Sequence, residues 1–198
     1  MRNLLALLLL FVCFLGSARA DSPLTSTYFA DVYVEYDIVQ DAMLGEKLTD
    51  EILAYLIDVN NLIDVKAALI NALGWSDSGL DYPILFEALK KKYGHSNTAD
   101  YSAADLMCLA YMKAMDDYFD VEEASGLIIL AEEKMPSSLT VAMIGALIRG
   151  QVAFDQDWCS VWRITSELLA TKREYNDMKT AAVQAIVDYM ILYKPYCE

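Results

Sequence analysis

The acidic side chains Asp116, Asp117, Asp120, Glu122 and Glu123 fall within eight consecutive positions and form the densest group in this sequence that could bind a metal or move a proton. Their oxygens suit Ca²⁺. The ligand loop of an EF-hand, with its central Gly, is absent, so the spacing reads as a solvated acidic turn. Other chemistry lacks its signature: there is no His-Glu-x-x-His, Gly-x-Ser-x-Gly, Gly-x-x-x-x-Gly-Lys or Cys-x-x-Cys. Ser76, in Gly74-Trp75-Ser76-Asp77-Ser78-Gly79, lacks the Gly two residues on that a nucleophile turn requires. The single histidine, His95, has no second His and no Cys at ligand spacing, and reads as an exposed cap residue. A hydrolase built on two carboxylates would have 29 acids to draw on, and nothing in the sequence singles out one pair. No catalytic residue, metal or cofactor is expected.

The first twenty residues, MRNLLALLLLFVCFLGSARA, place Arg2 before an apolar run of about twelve residues and end on Ala18-Arg19-Ala20. That is the form of a secretory signal peptide, and the run is shorter than the roughly twenty residues a spanning helix needs. Cys13 is preceded by Val12 rather than by a small residue, so it is expected to leave with the leader instead of carrying a lipid. Cleavage after Ala20 leaves residues 21–198 as one domain, long enough to bury a core without a staple. This mature part keeps all 29 acidic residues and loses two of the 15 basic ones, for a net charge of −16. Such a charge argues against nucleic acid and anionic membrane as partners and is compatible with a basic protein. A periplasmic or secreted location is expected, with no stable membrane anchor after cleavage.

Three cysteines remain, Cys108, Cys159 and Cys197, with spacings that match no zinc motif. Cys108 lies among Leu106, Leu109 and Met112 and reads as a small buried hydrophobe. Cys197 either pairs with Cys159 or stays a free thiol at the chain end. No disulfide is expected to be essential.

The pattern that must position these groups is helical throughout. Apolar residues from Tyr28 to Leu44 keep a helical period, although their β-branched and aromatic content also permits a strand for part of the stretch. Gly45 ends it, and Thr49-Asp50-Glu51-Ile52 opens the next helix, which stops at Asn60-Asn61. Leu62 to Leu73 follows, closed by Gly74, with Trp75 as a plug over the helix end. The loop 76–79 is the clearest internal break. Asp81 is expected to cap a helix that carries Pro83 in its first turn and ends on Lys90-Lys91-Lys92, where cations suit the helix dipole. Ser102 and Asp105 have capping-box spacing and open the next helix. Beyond Pro136, Ser137 and Ser138 start a helix rich in small residues, Ala142, Gly145, Ala146 and Gly150, which lets neighbours approach closely. Cys159 to Arg173 and Asp177 to Tyr193 complete the set. Most of the 13 Tyr and nine Met lie at core spacing.

The segment from Asp105 to Pro136 reads as two antiparallel helices joined by a short turn. Ala124, Ile128, Ala131 and Pro136 fall at the spacing that closes a tetratricopeptide (TPR) unit, and Phe119-Asp120-Val121-Glu122-Glu123-Ala124 is similar to its Gly-Asp-Tyr-x-x-Ala turn. The first helix departs from the family: Cys108, Tyr111, Met112 and Met115 stand where it carries an aromatic, Leu with a small residue, and Tyr. Val161, Thr165 and Leu168 repeat the second-helix spacing without a closing Pro at Arg173. The resemblance covers residues 105–173. It implies an all-α array of eight or nine helices in consecutive antiparallel pairs, with a closed helical bundle as the alternative.

By that resemblance the first helix of a pair lines a concave face, so Lys113, Asp116 and Asp117 would point into a groove and meet a partner. The function expected is an exported, non-enzymatic binding or scaffold module for a protein or peptide that presents Lys or Arg. The alternative is a helical hydrolase or lyase, which a pocket holding two carboxylates of raised pKa would favour.

Overall fold

The computed structural model describes residues 22–45, 47–75, 80–171 and 176–198. The leader peptide, the break at 76–79 and Arg173 lie outside these residues. The chain is all-α. Nine α-helices are found among the described residues: α1 (Asp37–Gly45), α2 (Asp50–Ile57), α3 (Ile63–Leu73), α4 (Asp81–Tyr93), α5 (Ala103–Asp116), α6 (Glu122–Lys134), α7 (Leu139–Phe154), α8 (Trp158–Ala170) and α9 (Thr180–Met190). Short 3-10 segments cover Ala30–Tyr33, Thr98–Asp100 and Ile191–Cys197. No described helix is long and apolar enough to cross a membrane.

Local chemistry sets most of the boundaries. Thr49, Ser102, Ser138 and Asp157 each accept a hydrogen bond from a backbone N–H in the first turn of α2, α5, α7 and α8, satisfying one of the donors every helix start leaves open. Gly94 ends α4 in the left-handed region at φ 78°, returning its N–H to Lys90 O at 2.8 Å. Between α2 and α3, Asp58 Oδ1 accepts from Asn60 N at 2.9 Å and Asn61 Nδ2 donates to Tyr55 O, so the two asparagines build the turn their position suggests.

Four expected boundaries are corrected. The stretch from Tyr28 to Leu44 is two pieces: a 3-10 turn holds Tyr33 in the core, Tyr36 N bonds to Tyr33 O, and α1 begins only at Asp37. The anchor for this break comes from elsewhere in the chain, because Asn71 Oδ1 accepts from both Phe29 N (2.7 Å) and Ala30 N (2.9 Å). The helix that opens at Asp81 is not capped by Asp81, which occupies its first turn; Asp116 Oδ2, on the end of α5, accepts from Tyr82 N at 2.8 Å. The last helix ends at Met190, and the chain continues as a 3-10 segment containing Pro195, whose missing N–H is compatible with that tighter turn. The helix expected over Cys159 to Arg173 spans Trp158–Ala170, with Thr171 as its C-cap.

Consecutive helices pair from α5 onward: α5 with α6, α6 with α7, α7 with α8. A second set of contacts joins α3 with α5, α5 with α7 and α3 with α7, so these three helices pack against one another. They form the core of the molecule. Val65 through Leu73 are all buried, as are eleven residues of α5 and twelve of α7. The small residues of α7 act as expected on both of its sides. A Cβ on Gly145 would collide with the Glu132 carboxylate on α6, and one on Gly150 would lie 3.2 Å from Met190 of α9 and 3.5 Å from Pro23. The amino-terminal segment and α9 therefore cover the side of α7 opposite α6, and Leu24, Phe29 and Tyr33 are fully buried.

Buried polar side chains tie these layers together. Asn71 Nδ2 donates to Thr27 O (2.9 Å) and lies 3.0 Å from the Tyr111 hydroxyl, so one side chain joins the amino-terminal segment, α3 and α5. Asp105 Oδ2 receives Lys92 Nζ (2.7 Å), Tyr93 OH (2.6 Å) and Ser102 Oγ (2.8 Å) while 1% exposed. Lys92 Nζ also donates to Ile57 O, the last residue of α2. Asp177 receives Ser138 Oγ (2.6 Å) and Thr140 N (3.0 Å) at the start of α7. Lys179 pairs with Glu35 and donates to Val32 O, closing the carboxy-terminal part onto the amino-terminal segment. The disulfide Cys159–Cys197, with Cα atoms 4.7 Å apart, fastens the last turn to α8, and Cys108 is a free, buried thiol.

Candidate functional site at the α4–α5–α6 corner

Lys113, Asp116 and Asp117 lie at the end of α5, where it meets the start of α4 and the turn into α6. Lys113 is half-buried. Its Nζ lies 3.6 Å from Glu123 Oε2 and 5.4 Å from the centre of the Tyr82 ring, while Tyr82 OH donates to Glu123 Oε1 at 2.5 Å. Burial pushes the Tyr82 phenol well above its ordinary range, and the Glu123 carboxylate adds to the shift. Lys113 is therefore engaged within the protein by a carboxylate and a ring face.

Asp116 is also committed. Its carboxylate receives Tyr82 N at the open start of α4, the electrostatically favourable end for a negative charge. Burial nonetheless raises its pKa above the usual carboxylate value of 3.8; the Tyr82 hydrogen bond opposes the shift and the charge of Asp81 reinforces it. Burial raises Asp81 too. Asp117 is exposed, and its Oδ1 accepts from Phe119 N and Asp120 N, both at 3.2 Å, fixing the turn. Of the three expected partner contacts, two are held inward and the third shapes the loop.

That turn presents an aromatic ring to solvent. Phe119 is 81% exposed, although its side chain is fully apolar. Its ring centre lies 4.2 Å from that of Tyr118, which is buried and in turn lies 6.1 Å from Trp75. Trp75 is half-exposed beside Tyr118. A sequence reading that treats Phe119 as one position of a repeat turn misses its exposure. The available signal was a Phe flanked by Asp117 and Asp120 in a short connection, where no apolar stripe passes through it.

Other places with site-like chemistry resolve differently. His95 is exposed, its ring tilted against those of Tyr93 (6.2 Å) and Tyr101 (6.0 Å), with Nε2 3.9 Å from Asp100. No group of three or more His, Cys, Asp or Glu close enough to share a metal ion occurs among the described residues. Two surface hollows of about 290 and 410 Å³ lie along α6, α7 and α8. They share Arg149, whose guanidinium forks onto Glu132 at 2.8 and 2.9 Å. Asp81 and Asp116 line neither. No family model matches this chain, and neither a curated protein nor a solved structure matches it.

Proposed function

We propose that this chain is an exported, non-enzymatic binding module whose partner is a protein or peptide with a basic surface. One observation carries the reading: a fully apolar ring, Phe119, is held 81% exposed on a turn fixed by Asp117. With Tyr118 between them, Phe119 and the half-exposed Trp75 bring apolar surface outward at one corner, which suits a contact made with something else. The net charge of −16 on residues 21–198 selects positive partners and repels nucleic acid and anionic lipid. The resemblance to a TPR unit agrees with a binding role. The contact surface argued here is the corner of the helix pair, since the inner side of α5 is packed against α3 and α7.

A second reading has its own support. Asp81 and Asp116 are neighbouring carboxylates, both with raised pKa, which is the condition an acid–base hydrolase sets up. Against it, Asp116 is occupied by Tyr82 N and the pair lines neither hollow.

Capture from the exported fraction of the source cells distinguishes the two. The mature protein and its Phe119→Ser variant are used as baits at low and high salt. A basic protein retained intact by the first, lost with the second and released by salt supports the binding module. Recovery of a cleaved ligand, with cleavage abolished in Asp81→Asn/Asp116→Asn, would replace it with the hydrolase.

A further inference from the structure

Four cations of this protein already sit over its own aromatic rings. Lys179 lies 4.5 Å from the Tyr33 ring centre, Lys92 5.3 Å from Tyr93, Lys113 5.4 Å from Tyr82, and Lys90 5.8 Å from Phe86. The exposed ring of Phe119 has no such cation among the described residues. One side of it leans on Tyr118, and the rest faces solvent. The carboxylates of Asp117 and Asp120 are on the same turn: one oxygen of Asp117 is used by Phe119 N and Asp120 N, and Asp120 Oδ1 receives only a long bond of 3.5 Å from Glu122 N. Asp117 Oδ2 and Asp120 Oδ2 make no hydrogen bond among the described residues. Lys113, earlier on α5, is already paired with Glu123.

We propose that the partner anchors here through an arginine laid on the free face of Phe119, with its guanidinium directed at the open oxygens of Asp117 and Asp120. This rests on the binding-module reading and specifies its contact. The turn is fixed by Asp117 before any partner arrives, so the ring needs no ordering on binding. The guanidinium is planar and weakly hydrated, which lets it stack on a ring and fork onto carboxylates at once; an ammonium is a compact, strongly hydrated point charge that does the first less well. A second copy of this chain is disfavoured as occupant by its own charge of −16.

The test uses the mature protein and three end-blocked peptides, Gly-Arg, Gly-Lys and Gly-citrulline repeats of equal length, with binding followed by amide chemical shifts. Citrulline keeps the planar group and removes the charge. The expected result is shifts centred on Asp117, Phe119 and Asp120, arginine binding about threefold or more tighter than lysine, and no measurable citrulline binding. Phe119→Leu, which keeps an apolar side chain but removes the ring, should cut arginine affinity by about three- to fivefold and bring it level with lysine. Equal affinity for the two basic peptides, or an unchanged Phe119→Leu variant, would overturn the arginine anchor and leave the binding module standing. Shifts confined to the hollow around Arg149 would do the same. An intact captured partner that lacks any exposed basic surface would overturn both.

Discussion

Lys66 is fully buried, and its Nζ has no hydrogen-bond partner among the described residues. A polar group taken from water without compensation costs about 1–3 kcal/mol by mutational measures. Lys66→Met keeps the length of the side chain, so it is expected to raise the stability of unfolding by about that amount, read by chemical denaturation. A loss of stability would show that Lys66 holds a charge the fold requires. Asn71 is the opposite case, with every polar atom used. Removing its side chain orphans the Phe29 and Ala30 amides, so Asn71→Ala should cost about 2–6 kcal/mol, from about 1–3 for each. Asp116 gives a prediction in pH. Its folded pKa is raised, so the native state holds its proton more readily than the unfolded chain does. That contribution is present below the ordinary carboxylate value of 3.8 and is lost as pH rises through the raised one. Asp116→Asn retains an acceptor for Tyr82 N and removes the titration, so stability measured from about pH 4 to 7 should fall less steeply than in the wild type. Asp116→Ala also loses the cap, at about 1 kcal/mol across the whole range.

At the scale of elements, what could be read in the sequence is what is local. Ser102 and Thr49 act on neighbours within four residues, and each marks the boundary it suggested; Gly94 closes α4 just as locally. The start of α4 could not be read the same way. Its cap, Asp116, lies 34 positions away, and the anchor of the broken segment at Tyr33, Asn71, lies more than forty away. A residue that caps through space leaves no periodic trace in the sequence around the helix it caps. The exposed Phe119 was hidden for a related reason: composition and spacing describe a residue's type, while its exposure depends on whether another element covers it. The pairing of Cys159 with Cys197 was one of two readings left open, and the position of the tail against α8 decides it. The bridge closes a loop of 38 positions, for which chain entropy gives a stabilisation of about 4 kcal/mol. Cys159→Ser/Cys197→Ser is therefore expected to lower Tm while the far-UV spectrum stays helical, because the core of α3, α5 and α7 lies outside that loop. Unfolding at room temperature on reduction alone would contradict this.

For the whole molecule, the mutual packing of α3, α5 and α7 sets the surroundings of the expected site residues. An array that left the inner side of α5 open would place Lys113 and Asp116 in a groove. Here Asp116 and Lys113 bond to α4 and α6, and the amino-terminal segment and α9 lie against the side of α7 away from α6. What stays outward is the turn between α5 and α6, where net acidity and one exposed aromatic coincide. Long-range attraction to a basic partner should therefore weaken as salt rises from about 50 to 500 mM, since the Debye length contracts from about 14 to about 4 Å. Mapping the contact tests the central claim most directly: amide hydrogen exchange of the mature protein, free and with its captured basic partner, read peptide by peptide. Partner-dependent protection should centre on residues 117–121 and extend to Trp75, and it should vanish in Phe119→Ser. Protection confined to the α6–α8 hollows around Arg149, with 117–121 exchanging as in the free protein, would contradict the assignment of this corner as the binding surface.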